Sequence, residues 1–148
     1  MTVLAYDGIT LAADKLATSG NSKGTVTKIF RVGASLVGIT GDLSVGMEMV
    51  AWFRNGALPE HYPDSNRDPN DGACLVVVRA DHTIWEYTSS PVPFQMEGPF
   101  NAFGCGTESA MVAMACGLDA RSAVEMVCRY NIACGNGIDT LCLDPVIH

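Results

Sequence analysis

Charge is scarce in this sequence. Only 17% of the 148 residues are charged, and the nine basic ones are scattered rather than clustered. Sixteen acidic residues leave a net charge of −7. Phosphate recognition needs grouped Lys and Arg, so no nucleic-acid partner is expected. Long apolar runs are also missing. None approaches the roughly 20 residues of a membrane span, and Met1 to Asp14 shows neither the basic start nor the apolar stretch of an export signal. The expectation is a cytoplasmic protein with no membrane partner. No two cysteines are spaced as C-x-x-C, so no metal site is expected, and nothing in the chain calls for a cofactor. The six cysteines (Cys74, Cys105, Cys116, Cys128, Cys134 and Cys142) then read as buried free thiols, not a disulfide framework. Internal repeats and low-complexity tracts are absent.

What is present is a globular composition, 48% hydrophobic, in a length that suits one domain over 1–148. Asp7-Gly8 separates two apolar runs, Met1 to Tyr6 and Ile9 to Asp14, the pattern of a tight hairpin. On a two-residue turn Met1 faces Asp14 and Thr2 faces Ala13. Lys15 to Gly24 is polar and reads as loop. Thr25 to Val32 and Ser35 to Thr40 read as strands joined at Gly33-Ala34. Gly41-Asp42 opens a helix whose apolar face is Leu43, Met47, Val50 and Phe53, closed by Asn55-Gly56. Ala57 to Gly72, with three prolines, reads as an exposed loop. A hairpin follows over Ala73 to Ala80 and His82 to Thr88, then a strand over Phe100 to Cys105. Helices are expected over Thr107 to Gly117, with Thr107 as N-cap, and over Asp119 to Ile132, with Asp119 as N-cap. Ile138 to Leu143 is the closing strand. Two strand blocks with interspersed helices suggest an α+β fold of two stacked sheets covered by helices.

Two features carry chemistry. Four glycine-rich breaks follow the strands, at Gly38–Gly41, Gly104–Gly106, Gly135–Gly137 and Asp7-Gly8. Such turns let a backbone approach a ligand and aim amide donors at it, although ordinary turns use glycine as well. Lys28 interrupts an apolar strand, and Asp14 ends a neighbouring one. Facing inward, a lysine needs a partner, and Asp14 is the natural one. Facing outward from an edge strand, it needs none.

Thr2 to Gly8 followed by Leu11 to Asp14 resembles the opening hairpin and aspartate of the proteasome β-subunit family and its bacterial relative, the peptidase subunit of the two-component heat-shock protease. Ala17-Thr18 is similar to the family's substrate-binding threonine, Thr27 to Phe30 to its lysine strand, and Gly38 to Asp42 to its oxyanion turn. Phe103 to Gly106, Asp119 to Glu125 and Asn131 to Asp139 resemble three further family segments in the right order. The resemblance implies an N-terminal-nucleophile hydrolase fold, a four-layer αββα sandwich, here with a reduced helical layer. The reduction fits a pared-down bacterial or phage relative.

The resemblance also implies a mechanism. Thr2 is the nucleophile, and its free α-amine, exposed by removal of Met1, is the general base. An α-amine titrates near 7.7–8.0, close to working pH. Lys28 lowers that value, Asp14 positions Lys28, and Gly41 supplies the oxyanion amide. Thr18, Cys105, Gly106, Asn131 and Cys134 are supporting positions. Cys105 and Cys134 replace family serines, and Asn131 replaces an aspartate. The implied function is a threonine peptidase or amidohydrolase subunit in a homo-oligomeric ring, its activity reduced while Met1 remains, with an ATP-dependent unfoldase as a candidate partner. The alternatives are a catalytically silent oligomer that binds a small ligand or serves as a scaffold, and cysteine-nucleophile chemistry at Cys105 or Cys134. The two-residue turn sets Thr2 two strand positions away from the nucleophile's place, roughly 6.6 Å; a longer turn removes the offset.

Overall fold

The computed structural model describes residues 1–67 and 72–143. Eleven strands and three α-helices are defined among them. One sheet has the order β10-β1-β2-β11, from β1 (Val3–Tyr6), β2 (Thr10–Asp14), β10 (Asn101–Gly104) and β11 (Ile138–Cys142). The other runs β5-β6-β7-β8-β9, from β5 (Ile29–Val32), β6 (Ser35–Thr40), β7 (Cys74–Val78), β8 (Ile84–Tyr87) and β9 (Phe94–Met96). The first sheet carries α2 (Thr107–Ala115) and α3 (Ala120–Tyr130) on its outer face; the second carries α1 (Leu43–Arg54).

Strand alternation generates the three cores of this αββα sandwich. In β1, Val3 and Ala5 point to α2 and α3, while Leu4 and Tyr6 point to the other sheet. In β7, Val76 and Val78 face that same inter-sheet core, while Leu75 and Val77 lie under α1. The central strands β1, β2, β6 and β7 are covered on both faces and so are buried almost throughout rather than on alternate residues.

Several sequence expectations need correction. Lys15–Gly24 is not loop: β3 (Leu16–Ser19) and β4 (Ser22–Thr25) form a separate two-stranded hairpin. Their residues beyond Leu16 are mostly exposed and polar, so no burial pattern marks them. Lys28 precedes β5 instead of lying mid-strand. The β9 strand, short and exposed at Phe94 and Gln95, was not foreseen. Helix α1 buries Val45, Gly46, Met49, Val50 and Trp52 and exposes Met47. Gly46 sets that face, because a Cβ there would stand 3.0 Å from Ile39. The cap of α2 is Gly106, and the Thr107 hydroxyl donates to the Gly104 carbonyl at 2.6 Å. Asp119 caps α3 through Ser122 N–H as expected. Gly117 (φ +101) closes α2 with the paired bonds of a Schellman turn, its own N–H to Met114 and Leu118 N–H to Ala113.

The described part of the 57–72 segment is not simply exposed. Tyr62 stacks edge-on against Trp52, with ring centres 4.7 Å apart, and Ser65 is buried with its hydroxyl on the Thr88 carbonyl. This segment covers part of the second sheet beside its single helix, which is how the reduced helical layer is made good. The thiols are free, but Cys105, Cys116 and Cys142 are exposed and only Cys134 is fully buried. Cys105 sits in a turn after β10, not in a core strand, so a free thiol there need not be buried.

Candidate active site

The opening hairpin determines where Thr2 falls. Leu4, Ala5 and Tyr6 pair with Ala13, Ala12 and Leu11, so the connection is four residues long, not two. Asp7 sets that length. Its Oδ1 accepts from Ile9 N–H at 2.9 Å and Thr10 N–H at 2.8 Å, an Asx turn in place of a two-residue β-turn. The register moves by two residues. Val3 now sits opposite Asp14, with its N–H on Asp14 Oδ1 at 3.1 Å, and Thr2 projects just beyond the carboxylate. The two-position offset of the shorter turn is removed.

Asp14 and Lys28 are both completely buried, and their side chains meet at 2.9 Å. The inward reading of Lys28 therefore holds. Asp14 uses its remaining capacity on backbone: Oδ2 accepts from Leu16 N–H at 3.2 Å and Gly135 N–H at 3.1 Å. Such a carboxylate is fixed from three segments of chain. Lys28 Nζ also donates to the Met1 carbonyl at 2.8 Å. That carbonyl belongs to the peptide bond that carries the Thr2 nitrogen, so the ammonium stands one peptide plane from it.

Thr2 is 2% exposed, and its Oγ1 is the only buried side-chain N or O without a hydrogen-bond partner among the described residues. An unsatisfied buried hydroxyl costs stability and asks for an explanation. The Thr2 carbonyl is held tightly. Cys105 Sγ donates to it at 3.3 Å, and Gly104 (φ +91) passes so close that a Cβ would lie 2.1 Å from the oxygen.

The other predicted positions are distributed as follows. Gly41 (φ +82) follows β6, one strand from Lys28: Ile39 N–H donates to the Lys28 carbonyl at 3.0 Å. A Cβ on Gly41 would be 2.0 Å from the Gly72 carbonyl oxygen, so glycine is required there for space as well as conformation. Gly106 lets the start of α2 close on β1, since a Cβ would meet Val127 and Val3 within 2.9 Å. Cys134 lies 3.7 Å from Cys105, sulfur to sulfur. Its thiol is pushed well above the ordinary range, first by burial and then by the Asp14 charge. Asn131 ends α3 and accepts from Ala133 N–H through its own side chain at 2.9 Å. Thr18 is exposed on β3, paired with Lys23.

Sequence reasoning missed the Met1 carbonyl as a Lys28 partner and Gly135 as an Asp14 donor. It also missed the Lys15–Asp139 ion pair at 2.5 Å, which ties β11 to the residue after Asp14. The glycines of 135–137 and the family-like segment Asn131 to Asp139 pointed to this region without giving these partners. Among the described residues no group of three His, Cys, Asp or Glu side chains is gathered to hold a metal, and no helix is long and apolar enough to cross a membrane.

No known protein-family signature matches the chain, and no curated protein sequence does. Solved structures do match. BPH from Thiobacillus denitrificans in complex with epoxomicin superposes with a TM-score of 0.69 at 22% identity, covering 98% of this chain and all of BPH. A second BPH structure gives 0.64 at 24% identity, with 99% and 100% covered. Eukaryotic HslV from Trypanosoma brucei gives 0.68 at 18% identity, with 95% and 97% covered. The chain therefore has the fold of the proteasome-type peptidases that its sequence resembles, end to end and without an added domain in those neighbours.

Proposed function

We propose that this chain is a threonine-type N-terminal-nucleophile peptidase or amidohydrolase that acts after Met1 is removed. The observation that carries the reading is the unpartnered, buried Thr2 hydroxyl beside a fully buried Asp14–Lys28 pair. Removing Met1 converts the Thr2 nitrogen from an amide to an amine and takes away the carbonyl that Lys28 now holds. The amine takes the hydroxyl proton as the Thr2 oxygen attacks a substrate carbonyl, and later returns it to the leaving group. The Lys28 charge disfavours protonation of the neighbouring amine, Asp14 fixes Lys28, and the Gly41 N–H receives the oxyanion.

Self-association accompanies this reading. Between α2 and α3 runs an apolar groove of about 840 Å³, lined by Val112, Met126, Tyr130 and Ile132 among others. Ile132 is 95% exposed in the single chain. A homo-oligomer, in the form of a ring, covers surface of this kind; an ATP-dependent unfoldase remains a candidate partner by resemblance only. Sedimentation is expected to give an assembly at micromolar concentration, and a monomer would count against this part.

The test of the chemistry compares Met1-bearing and Met1-free protein on fluorogenic peptides, each with a Thr2→Ala control. Only the Met1-free wild type should turn over, by about a hundred- to ten-thousand-fold over the Met1-bearing form, the usual worth of a general base. Epoxomicin, found bound to BPH, should add its mass to the Met1-free wild type and not to Thr2→Ala. A second reading, a silent oligomer that binds a small ligand, is favoured by one observation: Lys28 is already satisfied by Asp14 and the Met1 carbonyl. Absence of turnover and of adduct in the Met1-free protein would select it.

A further inference from the structure

We propose that Cys105 and Cys134 form a redox pair that closes into a reversible disulfide beside Thr2. Their sulfurs are 3.7 Å apart, although 29 residues separate them in the chain. A disulfide bond is about 2.0 Å long, so closure requires a movement of roughly 1.7 Å. Cys105 is exposed and Cys134 is 5% exposed, so an oxidant reaches one and the other waits behind it. Both lie in glycine turns, but the two are held differently: the 104 turn by close backbone packing, the 135 turn by hydrogen bonds with open space beside it. Gly104 is clamped on the Thr2 carbonyl, whereas a Cβ on Gly135 would meet nothing within 4 Å. The movement belongs to the Cys134 side.

With hydrogen peroxide as oxidant the step balances. The Cys105 sulfur attacks a peroxide oxygen, the O–O bond breaks, and a sulfenic acid and one water result. The Cys134 sulfur then attacks the Cys105 sulfur; the S–S bond forms, the S–O bond breaks, and the hydroxyl leaves as a second water with the Cys134 proton. Two thiols are oxidised and one peroxide is reduced. Burial keeps Cys134 protonated, which assigns the first step to Cys105. The short sulfur–sulfur distance offsets the small thiolate fraction of Cys134 in the second.

Closure acts on the site from two directions. The oxidised Cys105 sulfur has no proton to donate to the Thr2 carbonyl, so the 3.3 Å bond is lost. Moving Cys134 pulls on Gly135, whose N–H holds Asp14 and whose carbonyl accepts from Lys15 N–H at 2.9 Å. The disulfide itself stands independently of the proposed chemistry; only its effect on turnover rests on that reading.

The test oxidises the reduced full-length chain with stoichiometric hydrogen peroxide, caps remaining thiols with N-ethylmaleimide, and measures intact mass and linked peptides. Before capping, the mass should fall by about 2 Da, as two thiols lose their hydrogens. Of six cysteines, two should escape capping, joined in one peptide pair containing Cys105 and Cys134. Dithiothreitol should reverse the change, and Cys105→Ser or Cys134→Ser should each prevent the link. Over-oxidation of Cys105 to the sulfinic acid with Cys134 still cappable after denaturation would overturn the pairing, as would a link through any other cysteine. In Met1-free protein, closure should lower turnover about ten-fold or more, the scale of a small displacement at a reacting centre, with recovery on reduction. Thr2-dependent turnover indifferent to a formed link would refute the coupling. A formed link with no turnover in either state would refute the Thr2 reading and leave the redox pair intact.

Discussion

Asp7 and Asp14 stand at opposite ends of one hairpin and solve the same backbone problem. Each carboxylate accepts three main-chain N–H groups: Ile9, Thr10 and Ala120 for Asp7, and Val3, Leu16 and Gly135 for Asp14. Each ties the hairpin to a remote segment, the first residue of α3 at one end and the 135 turn at the other. Beyond that they diverge. Asp7 is half-buried and makes no ion pair among the described residues, whereas Asp14 is sealed and holds Lys28. An Asp with three amides is enough to end a strand where water still reaches it, as at Asp7; sealed from water, Asp14 has a cation as well. A buried ion pair is weak evidence for stability, because apolar residues of similar volume often do as well. Its place next to an unpaired hydroxyl is what the proposed chemistry would require.

The largest effect expected from this contrast is that of Lys28→Met. It leaves a carboxylate buried without its cation, which typically costs about 3–5 kcal/mol, read as a lowered urea midpoint. Adding Asp14→Leu should recover part of that loss while leaving turnover at zero. A single-variant cost below about 1 kcal/mol, the range of a surface pair, would erase the distinction between the two ends.

Asp7→Ala should cost less, about 1–2 kcal/mol, since its carboxylate is partly hydrated and its lost partners can turn to water. Thr2-dependent turnover in the Met1-free protein should also fall, because Asp7 selects the longer turn that sets the register of Thr2. Unchanged turnover in the folded variant would mean that strand pairing, and not the Asx turn, sets the register of Thr2.

Asp14 and Lys28 were legible because each interrupts apolar surroundings, and burial of one demands the other. The helices at Asp42 and Asp119 were legible from their caps, which act within three residues. The register of the first hairpin was not. Asp7-Gly8 suits a two-residue turn equally well, and only the Asp7 side chain's choice of Ile9 and Thr10 decides the longer one. Nor was the β3–β4 hairpin, whose exposed Ser22–Thr25 strand carries no alternation. The contact between Cys105 and Cys134 depends on two turns meeting across the end of the first sheet, and no local pattern encodes such a meeting.

Glu86 supplies the smallest effect and a third case for the comparison. It lies across from Val76 on the inter-sheet face, beside Cys74. Among the described residues it makes no ion pair, and unlike Asp7 and Asp14 it caps no backbone. Burial raises its carboxyl above the ordinary 4.5, with the Cys74 contact opposing. An acid whose folded pKa is raised binds more protons in the native state than in the unfolded one. Stability is then highest below the unfolded value and falls as pH rises from about 4.5 through the raised folded value. Glu86→Gln keeps the shape and removes the charge. The variant should match the wild type below pH 4.5 and exceed it at pH 7, modestly, because the side chain is only half-buried and water screens part of the cost. Urea denaturation at the two pH values measures this directly. A variant less stable than the wild type at pH 7 would show that the Glu86 charge has a partner after all, and that a carboxylate here needs neither amides nor a lysine to be useful.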